Sequence, residues 1–122
     1  MIHADPNPGQ AGSPASIRRE KLRDVVSPER AAGASAYRVE GLSEARITRV
    51  CKTAQGYFER GLPFDNDFDL RTPEKLYCTE LVWRAFGAAG VDLCGNSLSG
   101  SKKFLLPVDL IRGGKLRWIA DL

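Results

Sequence analysis

The chain has 122 residues and a formal net charge of +3. This length is sufficient for one domain whose hydrophobic core needs no disulfide or metal. Basic residues alternate with acidic ones in the segment 17–24, a pattern typical of a solvated face, and we therefore expect no nucleic-acid partner. No apolar run approaches the roughly 20 residues that span a bilayer, so a transmembrane segment is not expected either.

The cysteines and the single histidine, His3, indicate no metal or cofactor. Cys51, Cys78 and Cys94 show no C-x-x-C spacing, and one histidine cannot supply a metal cluster. The aspartates within 65–69 are spaced as in a calcium loop, but leucines stand at its glycine and glutamate positions. The glycines of the segment 95–101 are spaced as in a phosphate loop, but serine replaces the lysine.

The N-terminal third is poor in regular structure. Residues 1–4 form the end of a strand, 5–16 a proline-rich loop, 17–26 either a strand or a short helix, and 36–39 a strand.

A helix is predicted over 44–60, capped by Ser43 and ended by Gly61. Its apolar residues share one arc, which places Cys51 in the middle of a core face. The members of this arc are Ile47, Val50, Cys51, Ala54, Tyr57 and Phe58.

The rest of the chain alternates between elements and turns. Residues 64–70 have the alternation of a half-buried strand. A second long helix is predicted within 72–90, with Thr72 and Pro73 as start signals just upstream and Gly90 as its stop. Cys94 lies at the edge of a Gly/Ser-rich loop over 95–101, where we expect an accessible thiol. A helical turn over 108–111 and a strand over 115–120 follow.

Cys78 lies in the first turn of the second helix. Its face also carries Leu81, Val82, Ala85 and Ala89, whereas Glu80 and Arg84 lie on the opposite face with i, i+4 spacing, where they can pair in solvent. Most free cysteines are small buried hydrophobes. The N-terminus of a helix also favours thiolate over thiol, as a nucleophile requires. The spacing leaves both interpretations open.

The residues around Cys78 carry a resemblance to a known family. Y-C-T-E-L-V-W at 77–83, G-L-P-F-D at 61–65 and P-V-D-L at 107–110, with I-H-A at 2–4, resemble the permuted papain-like cysteine hydrolases of the YiiX type. These are relatives of the NlpC-type cell-wall peptidases and of the lecithin retinol acyltransferases. The resemblance implies that Cys78 is the nucleophile.

The same resemblance assigns a role to His3. Family members carry the base in an upstream S-H-[VI]-G-[IV] strand, and His3 matches the position of the third residue, which orients that base. We therefore expect a single permuted papain-like domain, 1–122, that lacks its N-terminal strand or strands. Two alternatives remain for His3: it is itself the base, or it is a terminal residue without a role. Tyr77 either lines the cleft or is a packed aromatic residue, and Glu80 is assigned to the structural pair with Arg84.

The sequence thus predicts an α+β fold of the papain-like (NlpC) type, with an antiparallel sheet packed against the Cys78 helix. The expected function is thiol-dependent hydrolysis or acyl transfer, as in a peptidase or amidase, on a small-molecule, peptide or lipid-like amide or ester. Without the upstream base this activity is weak or absent. The alternatives are a non-catalytic binding module of the same fold and an unrelated α+β interaction domain with Cys78 in the core. Compartment and oligomeric state stay open.

Overall fold

The computed structural model describes residues 1–95 and 104–122, and it has the mixed α and β composition that was predicted. Most of the loop predicted at 95–101 lies outside the described residues. A short 3-10 turn at Gln10–Gly12 follows the first strand. In chain order the other elements are β1 (Ile2–Asp5), β2 (Ser16–Arg19), α1 (Leu22–Val25), β3 (Ser35–Val39), α2 (Glu44–Glu59), α3 (Cys78–Gly87), α4 (Pro107–Arg112) and β4 (Leu116–Asp121).

The strands of the described part form two antiparallel pairs, β1 with β2 and β3 with β4, where one sheet was expected. The outer edge of β2 is already occupied by residues 62–64. The Ile17 N–H group donates to the Leu62 carbonyl at 3.0 Å, and the Phe64 N–H group donates to the Ala15 carbonyl at 3.0 Å. The pair β3–β4 forms separately from the β1–β2 pair.

Helix α2 begins and ends where its caps predicted. The Ser43 hydroxyl accepts a hydrogen bond from the Arg46 N–H at 3.3 Å, and Gly61 has a φ of 61°, a left-handed conformation that suits glycine. The predicted apolar arc is confirmed at Tyr57 and Phe58, which pack against the core, but it is wrong at Ile47, which is 45% exposed, and at Cys51, which is exposed. Periodicity identifies the residues that share a face, but the neighbours decide how much of it is covered.

The segment 64–70 is a turn, and the strand predicted there is wrong beyond Phe64. The Asp65 side chain is fully buried and accepts the N–H groups of Asp67 at 3.0 Å and Asp69 at 2.8 Å. An aspartate that binds the backbone ahead of it in this way stabilises a turn. The aspartates that alternate in the sequence are therefore parts of one folded turn.

Helix α3 begins at Cys78, with Tyr77 as its N-cap, six residues after the predicted start at residue 72. The Thr72 hydroxyl instead donates to the Asp69 carbonyl, closing the preceding turn. The helix packs against α2, β1 and α4. The predicted pair of Glu80 and Arg84 is confirmed, with Arg84 Nε donating to Glu80 Oε1 at 2.7 Å, but its placement in solvent is wrong because Glu80 is completely buried. A helix with neighbours on several sides has no free polar face.

Candidate active-site cleft

Cys78 is the first residue of α3, and its side chain is exposed. Its Sγ atom lies 3.7 Å from the Thr79 hydroxyl oxygen. The thiol borders a cleft of about 470 Å³, a volume in the range of small-molecule sites. This exposure contradicts the alternative in which Cys78 belongs to the hydrophobic core. Sequence reasoning thus placed Cys78 correctly at a helix start, and the structure adds the cleft.

The cleft walls are mostly apolar. Phe68 and Phe104 are each about half exposed, at 48% and 47%, so they present aromatic surface to solvent beside the thiol. A pocket of this kind suits an apolar group close to a reacting centre. Among the described residues, the lining consists of Asp67, Phe68, Tyr77, Cys78, Thr79, Phe104, Leu105, Leu106 and Pro107.

Tyr77 is both a cleft residue and a packed aromatic side chain. It is 2% exposed, and its hydroxyl oxygen accepts the Leu105 N–H group at 2.6 Å. Burial raises its pKa to about 12, because the phenolate form would lose its hydration. The phenol is therefore neutral at physiological pH, and it ties α3 to the segment that leads into α4.

His3 does not line the cleft. In the β1–β2 pair Ala4 lies opposite Ile17, and both are buried in the core, whereas His3 lies opposite Arg18. Because side chains alternate along a strand, His3 faces away from the surface that contacts the core. Its Nε2 atom lies 3.1 Å from a Glu20 carboxylate oxygen. The structure thus does not bring His3 and Cys78 together.

A charged network surrounds His3 on this face. His3, Asp5 and Glu20 each offer one atom within 4.8 Å of the others, a spacing that can hold a metal ion. Two arginines already bind the carboxylates: Arg18 donates to Asp5 at 2.7 Å and Arg30 to Glu20 at 2.6 Å. The Arg30 guanidinium group lowers the pKa of Glu20. The two guanidinium groups therefore already supply positive charge to these carboxylates.

The other two cysteines exchange their predicted positions. Cys51, predicted to be core, is exposed on α2, and Cys94, predicted to be accessible, is 1% exposed. Cys94 belongs to the core together with Leu93 and Leu105. The composition of the following loop indicated a surface position, but burial is decided by distant contacts.

Sequence reasoning missed the two buried carboxylates behind the cleft. Asp65 organises the turn that carries Phe68, and Glu80 lies in the first turn of α3. Burial raises the pKa of Glu80, opposed by Arg84 and by the Tyr77 N–H group. One sequence signal was present: a glutamate three residues after the N-cap is the position from which a side chain reaches back to the helix start.

Comparisons of the chain with family models, curated proteins and solved structures found no match. Within the described residues, none of the helices has the length and hydrophobicity required to cross a membrane.

Proposed function

We propose that this protein catalyses thiol-dependent hydrolysis or acyl transfer on amide or ester substrates, with Cys78 as the nucleophile. The observation that carries the proposal is the exposed Cys78 thiol at the first position of α3, beside an apolar cleft of about 470 Å³. The papain-like fold of the YiiX type is part of the same proposal. A helix with cysteine at its start, packed against β1, supports it.

The chemistry proceeds in two steps. The Cys78 thiolate attacks the carbonyl carbon, and the tetrahedral intermediate collapses to an acyl-enzyme as the amine or alcohol leaves with a proton. Water or an acceptor alcohol then takes the acyl group and regenerates the thiol. The first N–H groups of a helix have no acceptor within it, so the Cys78 N–H group is available to bind the oxyanion.

The base is the component that the described cleft does not contain. No histidine is among the residues that line it in the described ranges, and His3 is bound to Glu20 on the other face. The family resemblance assigns the base to a strand upstream of His3. Within residues 1–95 and 104–122, β1 pairs only with β2, and we propose that a strand carrying the base would add to its second edge.

A binding module of the same fold is the second candidate, and the missing histidine favours it. In this case Cys78 would border a site that holds an apolar group without reacting. The two candidates differ in the reactivity of the thiol. An activated cysteine reacts rapidly with iodoacetamide below neutral pH, because a large share is present as thiolate.

The first experiment compares Cys78 with Cys51, which is also exposed. We expect iodoacetamide at about pH 6 to label Cys78 at least about tenfold faster than Cys51, as an activated nucleophile would be. Mass spectrometry of digested protein measures both rates in one sample. Equal rates would favour the binding module.

The second experiment tests turnover. Because general-base assistance contributes about 10²–10⁴-fold, we expect this chain to hydrolyse a thioester poorly. A longer chain with an upstream S-H-[VI]-G strand should be active, Cys78→Ala should abolish that activity, and His3→Ala should reduce it moderately. Rapid turnover by the 122-residue chain that is lost on His3→Ala would identify His3 as the base.

A further inference from the structure

The buried carboxylate of Glu80 has a structural position that the proposed chemistry does not use. Glu80 lies two residues after Cys78 in the same helical turn and is completely buried. Its Oε1 atom accepts a hydrogen bond from Arg84 Nε at 2.7 Å. Its Oε2 atom is buried and has no hydrogen-bond partner in the part of the chain that the structure describes. The Tyr77 N–H group lies close enough to lower the pKa of the carboxylate but does not complete a hydrogen bond to Oε2.

Such a group is unfavourable for stability on its own. A buried carboxylate loses its hydration, and a buried acceptor left without a donor adds to the cost. Apolar residues of similar volume often replace a buried ion pair without loss of stability. Departures from local rules of this kind are expected at functional sites. The position of Glu80 beside the proposed nucleophile is consistent with that expectation.

Arg84 connects Glu80 to the turn that carries Phe68. Its second guanidinium nitrogen donates to the Leu70 carbonyl at 2.6 Å. Leu70 ends the turn that Asp65 organises, and this turn presents Phe68 to the cleft. Phe68 has a φ of 53°, a conformation that is an outlier for a bulky side chain. Its ring packs edge-on against Tyr77, with centroids 5.2 Å apart.

We infer that Glu80 and Arg84 are positioning residues, which hold the Cys78 turn and the Phe68 turn at the separation that a substrate with an apolar acyl group requires. This inference rests on the proposed function of Cys78. The chain of contacts runs from the first turn of α3 through the two side chains to the Leu70 carbonyl. If these contacts are lost, the thiol keeps its reactivity but no longer has a fixed distance from the Phe68 ring.

The test measures Cys78 alkylation by iodoacetamide and by N-benzyl iodoacetamide on the whole 122-residue chain. Both reagents attack the same thiolate, so the ratio of their rates is independent of thiol ionisation. Exposed Cys51 in the same molecule borders a different and smaller cavity, of about 310 Å³, and gives the ratio for a thiol away from Phe68. Free cysteine in solution gives the ratio for a thiol without any cavity. We expect Cys78 to prefer the benzyl reagent between about twofold and about tenfold over Cys51, the contribution of one aromatic contact.

Glu80→Gln and Arg84→Lys should each lower this preference to near that of Cys51, while Glu40→Gln should leave it unchanged. The Gln variant keeps the shape but removes the charge. The Lys variant keeps the positive charge, but an ammonium group cannot contact both Glu80 and the Leu70 carbonyl as the guanidinium group does. It therefore tests the contact between the two turns without a change in net charge. Glu40 is a matched control, because it pairs with Arg117 at the surface.

Two results would overturn the inference: a wild-type Cys78 with no preference, or a preference that survives in both variants. Neither depends on whether Cys78 is catalytic, because the ratio compares two reagents at one thiol. Failure of the proposed function has a separate signature, namely turnover that persists in Cys78→Ala.

Discussion

Replacing Glu80 by alanine tests whether its carboxylate is truly buried. The side chain of Arg84 is 24% exposed, so in Glu80→Ala it would remain largely covered without its counter-ion. Removing one partner of a buried pair costs about 3–5 kcal/mol, and we expect the lower half of that range because part of Arg84 reaches water. The free energy of unfolding, from urea melts, measures this loss.

The matched control is the surface pair of Glu40 and Arg117, whose side chains are 62% and 58% exposed. Glu40→Ala should cost less than about 1 kcal/mol, as exposed pairs do. The double variant Glu80→Leu, Arg84→Met should lie within about 2 kcal/mol of wild type, because apolar side chains can replace a buried pair. A loss below about 1 kcal/mol in Glu80→Ala would refute the burial argument.

The pH dependence provides an independent check on Glu80. Burial raises its pKa above the ordinary value of 4.5, so the folded protein holds this proton more tightly than the unfolded chain. The resulting contribution to stability is fully present below pH 4.5 and is lost as pH rises through the folded pKa. The free energy of unfolding of wild type relative to that of Glu80→Gln should therefore fall as pH rises through this range. A rise of wild type relative to the variant would contradict the assigned direction.

Three further predictions concern packing. Tyr77→Phe should cost about 1–3 kcal/mol in urea melts, since the buried Leu105 N–H group loses its acceptor. From pH 10 towards about 12 the stability of wild type should fall more steeply than that of the variant, which keeps only the raised pKa of Tyr57; equal slopes would contradict the role assigned to Tyr77. Leu81→Ala should lower the free energy of unfolding by about 2–5 kcal/mol, because Leu81 is buried, and Ile47→Ala should lower it by less than about 1 kcal/mol, because Ile47 is exposed. Equal losses would contradict this difference in burial. Cys94 should be alkylated only after unfolding, so native labelling seen by mass spectrometry would contradict its burial.

The structure also explains why helices α2 and α3 could be located from the sequence, while the faces that they bury could not. Ser43 and Gly61 act on backbone groups within a few residues of themselves, and the structure confirms both ends of α2. Cys78 was correctly placed in the first turn of α3. Its exposure was one of two readings that the sequence left open. Helix caps can be predicted from the sequence because the groups that they bind lie within a few residues of them.

Burial depends on residues that are distant in the sequence. Periodicity correctly placed Glu80 and Leu81 on different faces of α3, but only the contacts with other elements show that both faces are covered. Cys51 and Cys94 exchanged their expected positions for the same reason. The cleft beside Cys78 combines the turn after Asp65, the start of α3 and the segment before α4. The sequence by itself determined the helix that presents Cys78; only the tertiary structure decided which side chains surround it, because solvent exclusion is a property of the assembled chain.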